Sequence, residues 1–116
     1  MDGFTIYHNP RWCKSRQTLQ LLRDNGIEPF IIEYLKKSPT IDEFENLSVK
    51  LGMRPMKFIR KTEMDFKNND LKNKLEDDKA MFKAMNQYPK IMERPIVVKG
   101  NRAVLGRPPE NILKLL

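Results

Sequence analysis

The stretch that most constrains the fold runs from Phe4 to Tyr34. Phe4-Thr5-Ile6-Tyr7-His8 alternates and carries β-branched residues like a short strand, Asn9-Pro10 reads as a turn, and helical spacing begins at Ser15. Leu19, Leu21 and Leu22 lie on one flank of that helix with Gln17, Gln20 and Arg23 opposite, and Asn25-Gly26 ends it, because glycine tolerates the left-handed position after a helix. Pro29 to Tyr34 reads as a second, largely buried strand. Strand, helix and strand with a connection of this length predict a right-handed βαβ unit with parallel strands.

Downstream, Ser38-Pro39 predicts a turn, and Thr40 with Glu43 three residues later predicts a capping box opening a helix over Ile41–Leu51. Ile41, Phe44, Leu47 and Leu51 form its inward stripe, and Gly52 ends it. Arg54-Pro55 starts a short helical piece through Ile59, and the polar segment from Lys61 to Asn73 is expected to hold loops and a short turn of helix. Asp77 or Asp78 caps a further helix, Lys79 to Gln87, whose Met81, Phe82 and Met85 read as core, and Tyr88-Pro89 stops it. Pro95–Lys99 and Arg102–Leu105 flank Gly100-Asn101 as an antiparallel hairpin, and Gly106 to Glu110 leads into a last helix, Asn111 to Leu116. The order βαβ, helices, ββα predicts an α/β fold with a mixed, thioredoxin/glutaredoxin-like sheet and a helical insertion, about residues 40–90, between its halves. A chain of 116 residues is read as one domain, 1–116.

Composition narrows the chemistry. The single cysteine, Cys13, excludes an intramolecular disulfide and a CxxC centre, so any redox cycle must borrow a thiol from another molecule. With His8 the only histidine, no metal-ligand spacing is present, and no Gly-rich phosphate loop points to a nucleotide; no bound cofactor is expected. The start of the chain lacks the basic and apolar regions of a signal peptide, and no apolar run is long enough to span a bilayer, so the expectation is a reducing cytoplasm with no membrane partner. The formal net charge of +7 asks for an anionic partner: a small oxyanion, glutathione, nucleic acid or an acidic protein surface. Lysines between Lys57 and Lys90 alternate with Asp and Glu as on a solvated face, and no basic cluster is interleaved with aromatics, so nucleic acid is not expected.

Cys13 falls on the turn where the first helix begins. A first helical turn has unpaired backbone N–H groups and the positive end of the helix dipole, which favour a thiolate or a bound oxyanion. Arg11, Lys14 and Arg16 add positive charge, and His8 ends the preceding strand pointing towards the same turn. A lone cysteine is ordinarily a small buried hydrophobe; its place at this corner favours function. Arg94 and Arg107 flank the predicted hairpin at positions that antiparallel pairing brings to one edge, and guanidinium forks suit a tetrahedral oxyanion. Either arginine alone would read as surface charge, but the joint placement supports a shared site. For Arg60, at the end of a helical piece, position adds little.

Tyr7-His8-Asn9-Pro10, Lys14-Ser15-Arg16, Phe58-Ile59-Arg60-Lys61, Glu93-Arg94-Pro95-Ile96-Val97-Val98 and Gly106-Arg107-Pro108-Pro109-Glu110 follow one another along the chain. Together they resemble the glutaredoxin-coupled arsenate reductases, the ArsC family, in its short branch without a long C-terminal extension. The resemblance implies a thioredoxin-type fold and reduction of arsenate to arsenite, with glutathione as co-substrate and glutaredoxin as partner. It implies Cys13 as nucleophile, Arg60, Arg94 and Arg107 as ligands of the oxyanion, support of thiolate and oxyanion by His8, Ser15 and Arg16, and a cis peptide at Arg94-Pro95. One place departs. The family pattern reads Asn-Pro-x-Cys-x-x-Ser-Arg; here the count from Asn9-Pro10 to Ser15-Arg16 is kept, but Trp12 holds the fourth place and Cys13 follows it. One residue near a helix start turns a side chain by about 100°. Two alternatives therefore stand beside the reductase: a regulator similar to the Spx-type proteins, which bind RNA polymerase, and a relative that binds an oxyanion or glutathione without turnover.

Overall fold

The computed structural model describes residues 3–93 and 95–116. The chain divides into two compact units, residues 1–37 with 94–116, and Ser38–Glu93.

The first unit is built on strands β1 (Phe4–Tyr7), β2 (Phe30–Ile32), β3 (Ile96–Lys99) and β4 (Arg102–Leu105), in sheet order β2-β1-β3-β4, with helix α1 (Cys13–Asp24) joining β1 to β2. β1 runs parallel to β2, with Thr5 opposite Phe30 and Tyr7 opposite Ile32, and antiparallel to β3, with Ile6 opposite Val97. β3 and β4 form the expected hairpin, Ile96 opposite Leu105, around a two-residue turn whose first residue, Gly100, has φ +58°. The mixed βαβ…ββ sheet is the one the order of elements predicts.

Two elements differ from expectation. β2 is short and open, with Phe30 69% exposed and Ile31 and Ile32 half-buried, where the apolar run predicted a largely buried strand. β2 is an edge strand with β1 as its one strand neighbour, and an unbroken apolar run does not distinguish an edge from a sheet centre. The last segment is a 3₁₀ helix over Pro109–Leu115, not an α-helix over Asn111–Leu116. So short a piece has little helical stability of its own, and the tighter winding aligns residues three apart, here the buried Ile112 and Leu115. These two residues join Phe4, Ile6 and Val97 of the sheet and Leu19 and Leu22 of α1 in one core.

The second unit is helical. α2 (Ile41–Leu51) opens with both arms of the capping box: Glu43 N–H donates to Thr40 Oγ1 at 3.1 Å, and Thr40 N–H donates to Glu43 Oε1 at 3.3 Å. Gly52 ends it at φ +68°. After a 3₁₀ turn over Pro55–Phe58 come α3 (Met64–Asn68), a 3₁₀ turn over Leu71–Lys74 and α4 (Asp78–Gln87), whose N-cap, Asp77, accepts from Ala80 N–H at 3.2 Å. Phe44, Leu47, Phe58, Met81 and Met85 are buried, while Ile41 and Leu51, at the ends of the α2 stripe, are half-buried. A single antiparallel bridge, Ile59 opposite Met92, ties the middle of this unit to its end. No helix among the described residues is long and apolar enough to cross a membrane.

Candidate functional site

The corner between β1 and α1 is built from its own short-range hydrogen bonds. His8 N–H donates to Ile32 O at 2.8 Å and carries the β1–β2 ladder one residue further. The Asn9 side chain then folds the turn, its Oδ1 accepting from Arg11 N–H at 3.0 Å, while its carbonyl accepts from Trp12 N–H at 3.0 Å. Trp12, at φ −100° and ψ 127°, is the N-cap of α1 and Cys13 the first helical residue; no side chain caps this end. The N-terminal end of α1 therefore presents first-turn N–H groups and the positive end of its dipole beside Cys13. Arg16 bonds back over the turn, Nη1 donating to Pro10 O at 2.8 Å. The Cys13 side chain is exposed, and Gln17, one turn further on, donates from Nε2 to Sγ at 3.4 Å.

Beneath this corner lies a buried polar network. His8 and Asn9 are 6% and 4% exposed and Ser15 fully buried. Ser15 Oγ lies 2.6 Å from His8 Nδ1 and accepts from Asn9 N–H at 3.0 Å. Burial lowers the His8 pKa, the charges of Arg23 and Arg16 lower it further, and Glu33 opposes them. A neutral imidazole is the form this environment favours at neutral pH, sharing one hydrogen bond between Nδ1 and the Ser15 hydroxyl. His8 thus reaches the corner through a hydrogen bond to Ser15 that fixes the start of α1, without adding positive charge.

The far end of the hairpin meets α1 one turn later. Gly106 N–H donates to Pro95 O at 2.8 Å, and Gly106 O lies 2.9 Å from Thr18 Oγ1, whose hydroxyl also reaches Lys14 O at 2.8 Å. A Cβ at position 106 would stand 2.8 Å from both Pro95 Cγ and Thr18 Cγ2, so only glycine permits this approach. Arg107 follows, exposed, and its peptide bond to Pro108 is cis. Arg94 and the Arg94-Pro95 peptide, where the cis bond was expected, lie outside the described residues; Pro95 itself is buried.

Arg60 belongs to the second unit. Its N–H donates to Ile91 O at 2.6 Å beside the Ile59–Met92 bridge, and Glu93 N–H donates to Phe58 O at 2.8 Å on the other side. Its guanidinium pairs with two carboxylates, Nη1 3.2 Å from Glu63 Oε2 and Nε 3.4 Å from Glu93 Oε1. Among the described residues, no three His, Cys, Asp or Glu side chains are grouped to hold a metal ion. The first unit therefore gathers Cys13, His8, Ser15 and Arg16 at one corner, with Arg107 after the Gly106 contact.

Sequence reasoning assigns no site role to Gln17, Thr18, Glu63 or Glu93, and takes Asn9 and Gly106 only as parts of a turn and a motif. Asn-Pro signals a side-chain turn, and the spacing of Gln17 from Cys13 and of Glu63 from Arg60 signals helical neighbours. The pairing of Glu93 with Arg60, across some thirty residues, has no local signal.

Comparisons with known proteins place the chain in a family. A family model described as "ArsC family" matches residues 7–115. The chain is 39% identical over 112 residues to an arsenate reductase of Haemophilus influenzae, covering 96% of this chain and 97% of that one. It is 40% identical over 112 residues to the protein YfgD of Escherichia coli, covering 96% and 94%. Among solved structures it is similar to an arsenate reductase from Vibrio cholerae, with 42% identity, a TM-score of 0.95 and 99% and 98% of the two chains covered. The β1–α1 corner that carries Cys13, the mixed sheet behind it and these full-length matches have one reading: the chain belongs to the ArsC family and has its thioredoxin-like fold.

Proposed function

We propose that the chain is a thiol oxidoreductase of the arsenate reductase type, with Cys13 as nucleophile and glutathione and glutaredoxin supplying the electrons. The observation that supports this most is the position of Cys13: exposed, first in a helix of 12 residues, at an end that no side chain caps. A tetrahedral oxyanion is favoured at such an end by the helix dipole and by the N–H groups of the first turn. The family relationship supports Arg60, Arg94 and Arg107 as its ligands, each guanidinium staying charged through the cycle.

In the proposed cycle the Cys13 thiolate attacks arsenic, and a sulfur–arsenic bond forms as water leaves. Glutathione attacks this adduct and bonds to arsenic as a second water leaves. The glutaredoxin thiolate then takes the glutathionyl sulfur, whose bond to arsenic breaks with the electron pair staying on arsenic, and water cleaves the remaining Cys13–arsenic bond to restore the thiol. Two electrons pass from these two thiols to arsenic(V), which leaves as arsenite, while glutathione and glutaredoxin end joined by a disulfide. The network of Ser15, His8 and Asn9 fixes the turn of backbone from which the Cys13 sulfur projects, and a displacement of about an ångström can slow such a step roughly 10²-fold.

A second reading has its own observation. Trp12, at the N-cap, stands where the family pattern has its cysteine, which favours a protein that binds the oxyanion or glutathione without turning it over. Arsenite release with glutaredoxin supplied, together with calorimetry of arsenate and glutathione binding, separates the two. The reductase reading predicts release by the wild type and none by Cys13→Ser. Binding without release in either protein supports the second reading and refutes the first.

A further inference from the structure

We propose that Glu63 and Glu93 make the Arg60 subsite selective for oxyanions that carry a proton, turning away fully deprotonated ones such as sulfate. This rests on the reading of Arg60 as an oxyanion ligand.

Both carboxylates are held against the guanidinium, at 3.2 Å for Glu63 and 3.4 Å for Glu93, with the three side chains only 16%, 24% and 29% exposed. They are placed by the backbone. The bonds from Arg60 N–H to Ile91 O and from Glu93 N–H to Phe58 O flank the Ile59–Met92 bridge, and on such a bridge Arg60 and Glu93 stand diagonally on one face, within reach of long side chains. Glu63 lies three residues after Arg60, and its N–H donates to Arg60 O at 3.2 Å. Among the described residues, two carboxylates thus flank one guanidinium.

An anion approaching Arg60 therefore meets carboxylate oxygens as well as guanidinium N–H groups. Carboxylates are acceptors only, so they need a donor from the guest. Arsenate and phosphate near neutral pH keep at least one hydroxyl, which can donate to Glu63 or Glu93 while the other oxygens accept from Arg60. Sulfate has no proton to give and would set its lone pairs against theirs. Partial burial strengthens that repulsion relative to open water, and specificity commonly comes from such a repulsive element against the wrong guest.

The test is calorimetric titration of the full chain with sodium arsenate and, separately, sodium sulfate at fixed ionic strength, on wild type, Glu63→Gln, Glu93→Gln, the double variant and Arg60→Ala. Circular dichroism and urea midpoints check that each is folded, and the single variants carry the test where the double does not fold. Neutralising the carboxylates is expected to raise sulfate affinity about tenfold or more, from relief of like-charge contact, and to leave arsenate affinity unchanged or lower. The proposal is overturned if sulfate affinity stays at the wild-type value, or if arsenate affinity rises by the same factor. Arsenate affinity undiminished in Arg60→Ala would instead remove Arg60 from the site and refute the reading beneath the proposal. A loss in Arg60→Ala with no sulfate gain in the glutamine variants refutes the proposal alone.

Discussion

Removing one hydroxyl tests the corner that carries Cys13. Ser15 is fully buried, and its Oγ serves both His8 Nδ1 at 2.6 Å and Asn9 N–H at 3.0 Å, two groups that are themselves 6% and 4% exposed by residue. Ser15→Ala leaves both without that partner, and a buried group so stranded costs about 1–3 kcal/mol. The two together give an expected loss of about 2–6 kcal/mol, nearer the lower figure if the corner relaxes. Urea unfolding at a pH where His8 is neutral reads this directly, as a lower midpoint at unchanged slope. Deleting both polar partners, in His8→Phe with Ser15→Ala, should cost less than the sum of the single changes, because fewer groups are left unpaired. A Ser15→Ala loss below about 0.5 kcal/mol, the usual range for inconsequential substitutions, would show that the network does not hold the corner.

Two further outcomes follow from the same unit. The folded-state pKa of His8 lies below its ordinary value, so between that ordinary value and the folded one the unfolded chain binds more protons than the native chain. His8's contribution is thus fully retained above about pH 6.5 and is lost as pH falls through this window. The urea midpoint should drop more steeply on acidification in wild type than in His8→Gln, and parallel curves would exclude the effect. Gly106→Ala forces a methyl to 2.8 Å from Pro95 Cγ and Thr18 Cγ2. Thermal or urea unfolding should show a loss of about 1–3 kcal/mol, as for overpacked cores, and an unchanged stability would contradict the tight approach of β4 to α1.

The sequence is legible wherever short-range chemistry decides. Thr40 and Glu43 announce the capping box, Gly52 the left-handed stop and Gly100 the hairpin turn, and each forms as expected because its partners lie within a few residues. The parallel pairing of β1 with β2 follows from the length of the intervening helix. Burial at the sheet edge was not legible: Phe30-Ile31-Ile32 has the composition of a central strand, and only the strand order shows that it has a single neighbour. Nor was the winding of the last segment, where packing of Ile112 and Leu115 overrides the weak preference of a short helix. At the candidate site, Cys13 at the start of α1 could be read from turn and periodicity. The link from His8 to Ser15 could not, because residues seven apart across a turn have no fixed spacing rule, and the clasp of Glu63 and Glu93 on Arg60 depends on the Ile59–Met92 bridge.

The claim on which the functional account stands is that the sulfur of Cys13 forms the bond to arsenic. Mass spectrometry of the intact protein, incubated with arsenate and glutathione before glutaredoxin is added, tests it most directly. The expected result is a covalent adduct that maps to Cys13, requires arsenate, protects this residue from iodoacetamide and disappears once glutaredoxin is supplied. Arsenite release with Cys13 unmodified and alkylated at an unaltered rate would contradict it.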